Sequence, residues 1–268
     1  MYPSDRLGAR VNNWLLLLIG GLSFLLYEFL QAPFYDLATA WVGVGIILSA
    51  VAGVVMPFLI LCQRLGIPFR AQFQLERPRA VAGLAVIAAT LCLIPPLEIM
   101  TSWVGIHFPP DPVYLDFMEK LRGETWWDFG VVAVAVVAAV ALAEELIFRG
   151  MFLRVLLRHT PGAVAVLLTA LLFALVHPLY AVPGVVVLGL FFGLLMLRLR
   201  NLTYPIVAHA VWNLANLVVL KSTEGALEPE MATPFAEHAV LWTLGSAAAF
   251  ALFGLIWWHA GAEEAAAA

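Results

Sequence analysis

The sequence predicts an all-α fold, a polytopic integral membrane helical bundle of about eight transmembrane helices. Of the 268 residues, 63% are hydrophobic and only 12% are charged, whereas soluble domains are nearer half apolar and a quarter charged. The apolar residues are collected in runs of about 20, the length that crosses a bilayer core of about 30 Å as a helix. Pro and Gly separate these runs, as is typical of turns between helices. These observations together exclude an ordinary soluble domain.

Eight apolar runs follow one another along the chain. The first four cover about 13–30, 41–62, 81–105 and 129–149. The last four cover about 161–178, 184–199, 202–220 and 238–258, with a turn expected at Glu228-Pro229 before the last. The fifth and sixth runs are short, so a packed or partly re-entrant segment is an alternative there.

We divide this single membrane domain into three parts. Residues 1–128 hold N-terminal transmembrane helices and loops, residues 129–220 hold the helical core with the candidate catalytic residues, and residues 221–268 hold a C-terminal transmembrane helix and tail. The loops on one side carry 11 of the 14 Lys and Arg residues, including those that follow the fourth run. Because basic loops stay in the cytoplasm, both termini are predicted to be cytoplasmic. No basic stripe with interleaved aromatics indicates a nucleic-acid partner.

Two adjacent acids end the fourth apolar run, in the stretch Ala143-Glu144-Glu145-Leu146-Ile147-Phe148-Arg149-Gly150. An acid inside a membrane span costs about 2.5–3.5 kcal/mol on insertion scales, so it indicates a functional site by default. Glu145 and Arg149 are four residues apart with the acid first, the order that favours an ion pair on a helix. We therefore expect Arg149 to hold Glu145. Glu144 points about 100° away and is left for chemistry.

Other polar side chains inside the apolar runs are few. His177 lies near the end of the fifth run, and His209, Asn213 and Asn216 lie in the seventh. The last three are spaced i, i+4 and i+7, so a helix presents them on one face. The seventh run is therefore predicted to carry a polar stripe.

These polar residues are predicted to lie at compatible depths. Glu144 lies 16 residues before Thr160 and His177 lies 17 after it, so they differ by about 2 Å in an antiparallel hairpin that turns at Thr160. His209 is about 12 Å from the next turn. It lies at the same depth in the membrane as Glu144 and His177 if the fourth helix projects about 12 Å into the cytoplasm. The predicted site is then inside the bilayer toward the cytoplasmic side, with Glu144 facing His177.

The residue types favour hydrolysis of an acyl bond. A carboxylate beside an imidazole can activate water as a general base, and a His and an Asn can donate hydrogen bonds to a developing oxyanion. No cofactor is needed for that chemistry. A metal bound by Glu144, His177 and His209 stays an alternative, because zinc accepts two histidines and a carboxylate. The sequence contains no His-Glu-x-x-His zincin motif.

Three motifs resemble those of the CPBP family, which comprises the type II CAAX prenyl endopeptidases and the bacterial Abi-type proteins. They are Glu144-Glu145-x-x-x-Arg149, Phe173-x-x-x-His177 and His209-x-x-x-Asn213, in that order. The resemblance covers about 130–220, the central third of the chain. The family is described as one of glutamic intramembrane proteases, so the resemblance implies a metal-independent peptide hydrolase.

The resemblance also implies roles for six residues. Glu144 and His177 would activate the water, His209 and Asn213 would stabilise the oxyanion, and Glu145 and Arg149 would support the first motif. The implied partners are the lipid bilayer of a plasma or inner membrane and a membrane-associated peptide or protein, prenylated CAAX-type substrates among them.

Two other functional classes stay open from the sequence. One is a non-catalytic membrane immunity or scaffold protein that keeps the fold. The other is a small transporter that relays protons through Glu144 and the histidines. The transporter ranks last, because the spans show no two-fold repeat of the kind that many transporters have.

Overall fold

The structure is a computed structural model that describes residues 6–222, 233 and 235–267, with side chains described to residue 259, and these residues contain helices and no β-strand. The predicted turn at Glu228-Pro229 lies outside the described residues. We number the helices α1 (Arg6–Arg10), α2 (Asn13–Phe34), α3 (Thr39–Arg64), α4 (Phe69–Phe73), α5 (Ala80–His107), α6 (Pro112–Arg122), α7 (Trp126–Leu156), α8 (Gly162–Ala174), α9 (Leu179–Leu199), α10 (Thr203–Ser222) and α11 (Ala239–Ala267).

Seven helices are long and apolar enough to cross a membrane: α2, α3, α5, α7, α9, α10 and α11, the last counted from a 3₁₀ turn at Ala236–His238. The prediction of an all-α membrane bundle is confirmed. The fifth predicted span, about 161–178, instead forms α8 of 13 residues, about 20 Å long. Helix α8 ends at Ala174, and His177 leaves the helix because Pro178 disfavours helical backbone in the residue before it.

Helix α7 begins at a well-defined cap. The Thr125 hydroxyl accepts a hydrogen bond from the Asp128 amide at 3.1 Å, and the Asp128 carboxylate accepts one from the Thr125 amide at 3.0 Å. This reciprocal capping box satisfies two backbone donors that the first turn of a helix leaves free. Trp126 and Trp127 follow directly and are both exposed, as is typical of aromatic side chains at a membrane interface.

Helix α7 contains two wide π-helical turns, Val134–Val140 and Phe148–Phe152, on either side of the α-helical turn Ala141–Ile147. The turn between them carries Glu144 and Glu145. A π turn shifts the side chains that follow it around the helix, and such turns occur often at functional sites. The ideal helical spacing used for the sequence prediction therefore does not hold across this part of α7.

Close helix packing surrounds α7 and its neighbours. Helix α8 packs against α9, where Gly189 faces Ala170 so closely that a methyl group at Gly189 would lie 2.9 Å from the Ala170 Cα. Helix α2 packs antiparallel to α7, with Gly20 against Phe152 and the Phe24 ring against that of Phe148. Small residues at such positions let two membrane helices approach each other.

Two of the basic residues counted in a cytoplasmic loop are instead buried in the protein. Helix α7 extends to Leu156, and Arg149 and Arg154 on it are only 0% and 2% exposed. Arg154 donates hydrogen bonds to the Gln72 carbonyl and to the Gln74 side chain, at 2.9 Å for the latter. Arg149 and Arg154 therefore contribute to packing inside the protein and do not lie in a cytoplasmic loop. The orientation in the membrane and the three-part division of the chain stay predictions.

Candidate active site

The Glu145–Arg149 ion pair lies at the centre of the bundle. The Arg149 Nη1 atom lies 2.6 Å from the Glu145 Oε1 atom, and both side chains are 0% exposed. Arg149 also donates a hydrogen bond of 3.2 Å to the Gly189 carbonyl of α9. Its guanidinium carbon lies 4.5 Å from the ring centre of Phe173 and 5.2 Å from that of Phe192. The predicted pair is present, and it joins α7, α8 and α9 in the interior of the protein.

His209 of α10 lies between the two glutamates. Its Nδ1 atom is 3.0 Å from the Glu145 Oε1 atom, and its Nε2 atom is 3.8 Å from the Glu144 Oε2 atom. The imidazole stacks on Phe192, with ring centres 5.2 Å apart and an interplanar angle of 22°. Since a carboxylate only accepts hydrogen bonds, Nδ1 carries a proton. Glu145 thus fixes the ring so that Nε2 points at Glu144.

Glu144, like Glu145, carries a buried carboxylate oxygen without a hydrogen-bond partner among the described residues. Its Oε2 atom is buried and has no hydrogen-bond partner within the part of the chain that the structure describes. The close neighbour of Glu144 is His209. Among the described side chains, Glu144 forms no hydrogen bond or ion pair with His177, which bonds to the Phe173 carbonyl instead. The expected Glu144–His177 pairing assumed one straight hairpin. The π turns in α7 and the early end of α8 change that geometry.

His177 lies on the irregular turn after α8, near His209 of α10. Its Nδ1 atom lies 2.8 Å from the Phe173 carbonyl oxygen, so Nδ1 donates and Nε2 is left as an acceptor. The Phe173 ring centre lies 4.7 Å from that of His177 and 5.9 Å from that of His209. Phe173 therefore contacts both imidazoles and brings His177 and His209 to the same part of the bundle.

Asn213 lies one turn beyond His209 on α10. Its amide nitrogen donates a hydrogen bond of 2.9 Å to the Val136 carbonyl, inside the first π turn of α7. An amide group has two N–H donors, so the second remains available. Asn216, the third member of the predicted stripe, donates to the Trp212 carbonyl of its own helix, so we assign it no part in the site.

The sequence prediction missed Tyr27 and Glu28 of α2. Tyr27 is 3% exposed and packs in the cluster that holds Ala143 and Ile147, and the charge of Glu28 acts on Glu144. A signal was present, because Glu28 is an acid inside the first apolar run. Among the described residues, no three His, Cys, Asp or Glu side chains group as metal ligands would.

The arrangement places an unpartnered carboxylate oxygen and an imidazole nitrogen side by side. A water about 2.8 Å from each would lie to one side of the 3.8 Å line between the Glu144 Oε2 and His209 Nε2 atoms. From there the carboxylate can accept a proton from the water while the imidazole contacts the same oxygen or its product. The geometry is thus suited to water activation in a buried pocket.

One comparison with known proteins matches the part of the chain that contains these residues. Residues 126–215 match the family model described as type II CAAX prenyl endopeptidase Rce1-like. The matched segment runs from the start of α7 into α10 and contains all the candidate site residues on those elements. No curated protein and no solved structure matches the chain. Together with the seven apolar helices of this integral membrane protein, the match supports the resemblance: residues 126–215 are similar to the CAAX proteases of the CPBP family.

Proposed function

We propose that this protein is a glutamic-type intramembrane endopeptidase that hydrolyses peptide bonds of membrane-associated substrates, prenylated CAAX-type proteins among them. One observation carries the proposal. The buried and unpartnered Oε2 atom of Glu144 lies 3.8 Å from the Nε2 atom of His209, which Glu145 and Arg149 hold in place. The family match to CAAX proteases supports the substrate class.

In the proposed mechanism, Glu144 is the general base. Its Oε2 atom accepts a proton as the water oxygen attacks the scissile carbonyl carbon, and the same proton then goes to the departing amine nitrogen. A carboxylate that already had strong hydrogen-bond donors would be a weaker base. Both acids have a buried Oε2 atom without a partner in the described part of the chain, but the Oε1 atom of Glu145 contacts Arg149 and His209. Glu144 accepts no hydrogen bond from a described residue, which favours it over Glu145 for this role.

His209 stabilises the negative charge that develops on the carbonyl oxygen. Its Nδ1 proton is directed to Glu145, so Nε2 donates only when the ring is protonated. In the proposed mechanism the ring carries both protons, with Nδ1 directed to Glu145 at 3.0 Å and Nε2 lying 3.8 Å from Glu144. A charged donor in a buried site gives more stabilisation than a neutral one.

His177 and Asn213 complete the proposed site. The free Nε2 atom of His177 accepts a hydrogen bond from the attacking water and orients it. The second amide proton of Asn213 is directed to the oxyanion, while its bond to the Val136 carbonyl holds the amide in place. No metal or other cofactor takes part in this proposal. The site is proposed to lie in the bilayer toward the cytoplasmic side, with both termini cytoplasmic.

The test uses the purified full-length protein in nanodiscs and a farnesylated peptide that ends in a CAAX sequence. We expect the wild type to release the C-terminal tripeptide, and Glu144→Gln to lower kcat about 10²- to 10⁴-fold, the usual contribution of a general base. Glu98→Gln is the matched control, because Glu98 is another acid inside a span and is absent from the groups that act on Glu144. Activity that survives strong chelation supports the metal-independent mechanism.

Two outcomes would contradict the proposal. Full cleavage by Glu144→Gln would remove Glu144 from the chemistry. A wild type that cuts none of the prenylated or unprenylated membrane peptides, with a cellular phenotype that Glu144→Gln preserves, would favour the non-catalytic immunity or scaffold protein instead.

A further inference from the structure

The packing of α2 against α7 brings a third glutamate to the active site. Gly20 packs on Phe152, and four residues further along α2 the Phe24 ring lies edge-on to that of Phe148, with ring centres 6.2 Å apart. The two helices are antiparallel, so four residues up α2 correspond to four residues down α7. One further step along both helices brings Glu28 approximately level with Glu144, and its neighbour Tyr27 packs in one cluster with Ala143 and Ile147 of α7.

The electrostatic surroundings of Glu28 agree with this register. Its charge acts on Glu144, on Tyr27 and on Tyr35, and none of these groups is basic. No Lys or Arg forms an ion pair with Glu28 among the residues that the structure describes. Glu28 therefore lies near Glu144 without an ion-pair partner of its own among the described residues, and the Oε2 atom of Glu144 is buried without a hydrogen-bond partner.

Glu28 is also exposed, although it lies inside the 22-residue span α2. A charged side chain within a bilayer is costly unless it lines a water-filled cavity or meets an opposite charge. Since Glu28 lies near Glu144, a group that meets its charge belongs to the molecule bound at Glu144. A lipid headgroup is less well suited, because Glu28 is six residues, about 9 Å along the helix, from the end of α2.

We propose that Glu28 is a specificity-determining residue that binds the side chain of a lysine or arginine next to the scissile bond of the substrate. The inference rests on the proposed peptidase function and adds the charge preference of its substrate. The cationic side chain enters between α2 and α7 and is attracted by Glu28, while the adjacent peptide bond lies at Glu144. Attraction between opposite charges in this partly buried space sets the preference.

The test measures binding separately from cleavage. The probes are three fluorescent farnesylated peptides that are identical except for Lys, Gln or Glu next to the scissile position, where a neutral ketomethylene group prevents hydrolysis. They are titrated by fluorescence anisotropy against the full-length wild type, Glu28→Gln and Glu28→Lys in nanodiscs. Glu98→Gln is again the matched control for loss of an acid within a span.

We expect the wild type to bind the Lys peptide about five- to tenfold more tightly than the Gln peptide, which is about one charge pair in a partly buried site. Glu28→Gln should remove this ratio, Glu28→Lys should reverse it in favour of the Glu peptide, and Glu98→Gln should keep it. High salt should reduce the ratio, because it screens charges.

Several results would overturn the inference. They are an unchanged Lys-to-Gln ratio in Glu28→Gln, a wild type that binds none of the peptides, and a preference that follows the ethanolamine content of the nanodisc rather than the peptide charge. If the ratio depends on Glu28 while the cleavable peptides stay intact, the proposed peptidase function fails and the binding inference stands. Glu28→Gln keeps the shape of the side chain, so a folding failure of Glu28→Lys leaves the test decisive.

Discussion

We expect Arg149→Met to lower the free energy of unfolding by about 3 kcal/mol, near the lower end of the 3–5 kcal/mol that breaking a buried ion pair costs. Both members of the pair with Glu145 are 0% exposed, so the remaining carboxylate has no access to water. His209 still contacts Glu145 at 3.0 Å, which offsets part of the loss. Methionine approximates the length of the arginine stem, which limits the cavity.

The double variant Arg149→Met/Glu145→Gln measures the coupling between the two members of the pair. Because the second change removes the stranded charge, the two effects should not add, and we expect a coupling energy of about 1–3 kcal/mol. The control is Asp116→Asn, which breaks a surface pair whose acid is 67% exposed and should cost at most about 1 kcal/mol.

Unfolding is followed in mixed micelles of increasing denaturing-detergent content, with the fluorescence of the nine Trp residues as the probe. A cost below about 1 kcal/mol for Arg149→Met, as for a surface pair, would refute the reasoning. Additive effects of the two changes would refute it as well. Either result would mean that the pair is hydrated or that its partner charges are neutral in the folded protein.

Three further predictions concern single contacts. Gly189→Ala should destabilise the protein by about 1–3 kcal/mol in the same unfolding assay, because its methyl group would meet the Ala170 backbone at 2.9 Å, whereas Gly21→Ala, with open space around it, should be neutral or stabilising. Thr125→Ala should lower the unfolding free energy by about 1 kcal/mol through the lost cap of α7, and a change near zero would contradict the capping role. Asn213→Ala should lower kcat more than it raises KM in the farnesylated-peptide assay; an effect on KM alone would mean that the amide binds substrate and does not stabilise the transition state.

The sequence was informative where chemistry follows from spacing along one helix. Apolar runs located all seven spans, five of them to within four residues at either end, and the i, i+4 spacing of Glu145 and Arg149 predicted their ion pair. The polar spacing of His209 and Asn213 also placed both on the side of α10 that faces α7.

The sequence was less informative where tertiary packing decides. No sequence pattern we used indicates the π turns of α7, and these turns direct Glu144 to His209 instead of His177. Pro178 is the sequence signal that indicates an end of α8 before His177. Glu28 was visible as an acid in an apolar run, but only the register of α2 against α7 shows that it lies approximately level with Glu144.

The short helix α8 has a consequence for the surrounding lipid. At about 20 Å it leaves roughly 10 Å of a typical hydrocarbon core unmatched, and a bilayer responds to such a mismatch by thinning or by tilting the protein. Helix α8 ends at Ala174, three residues before His177. The membrane is therefore expected to be thinnest beside the pocket that needs water, so the lipid chain length around the protein becomes a variable that sets how easily water and a polar peptide reach it.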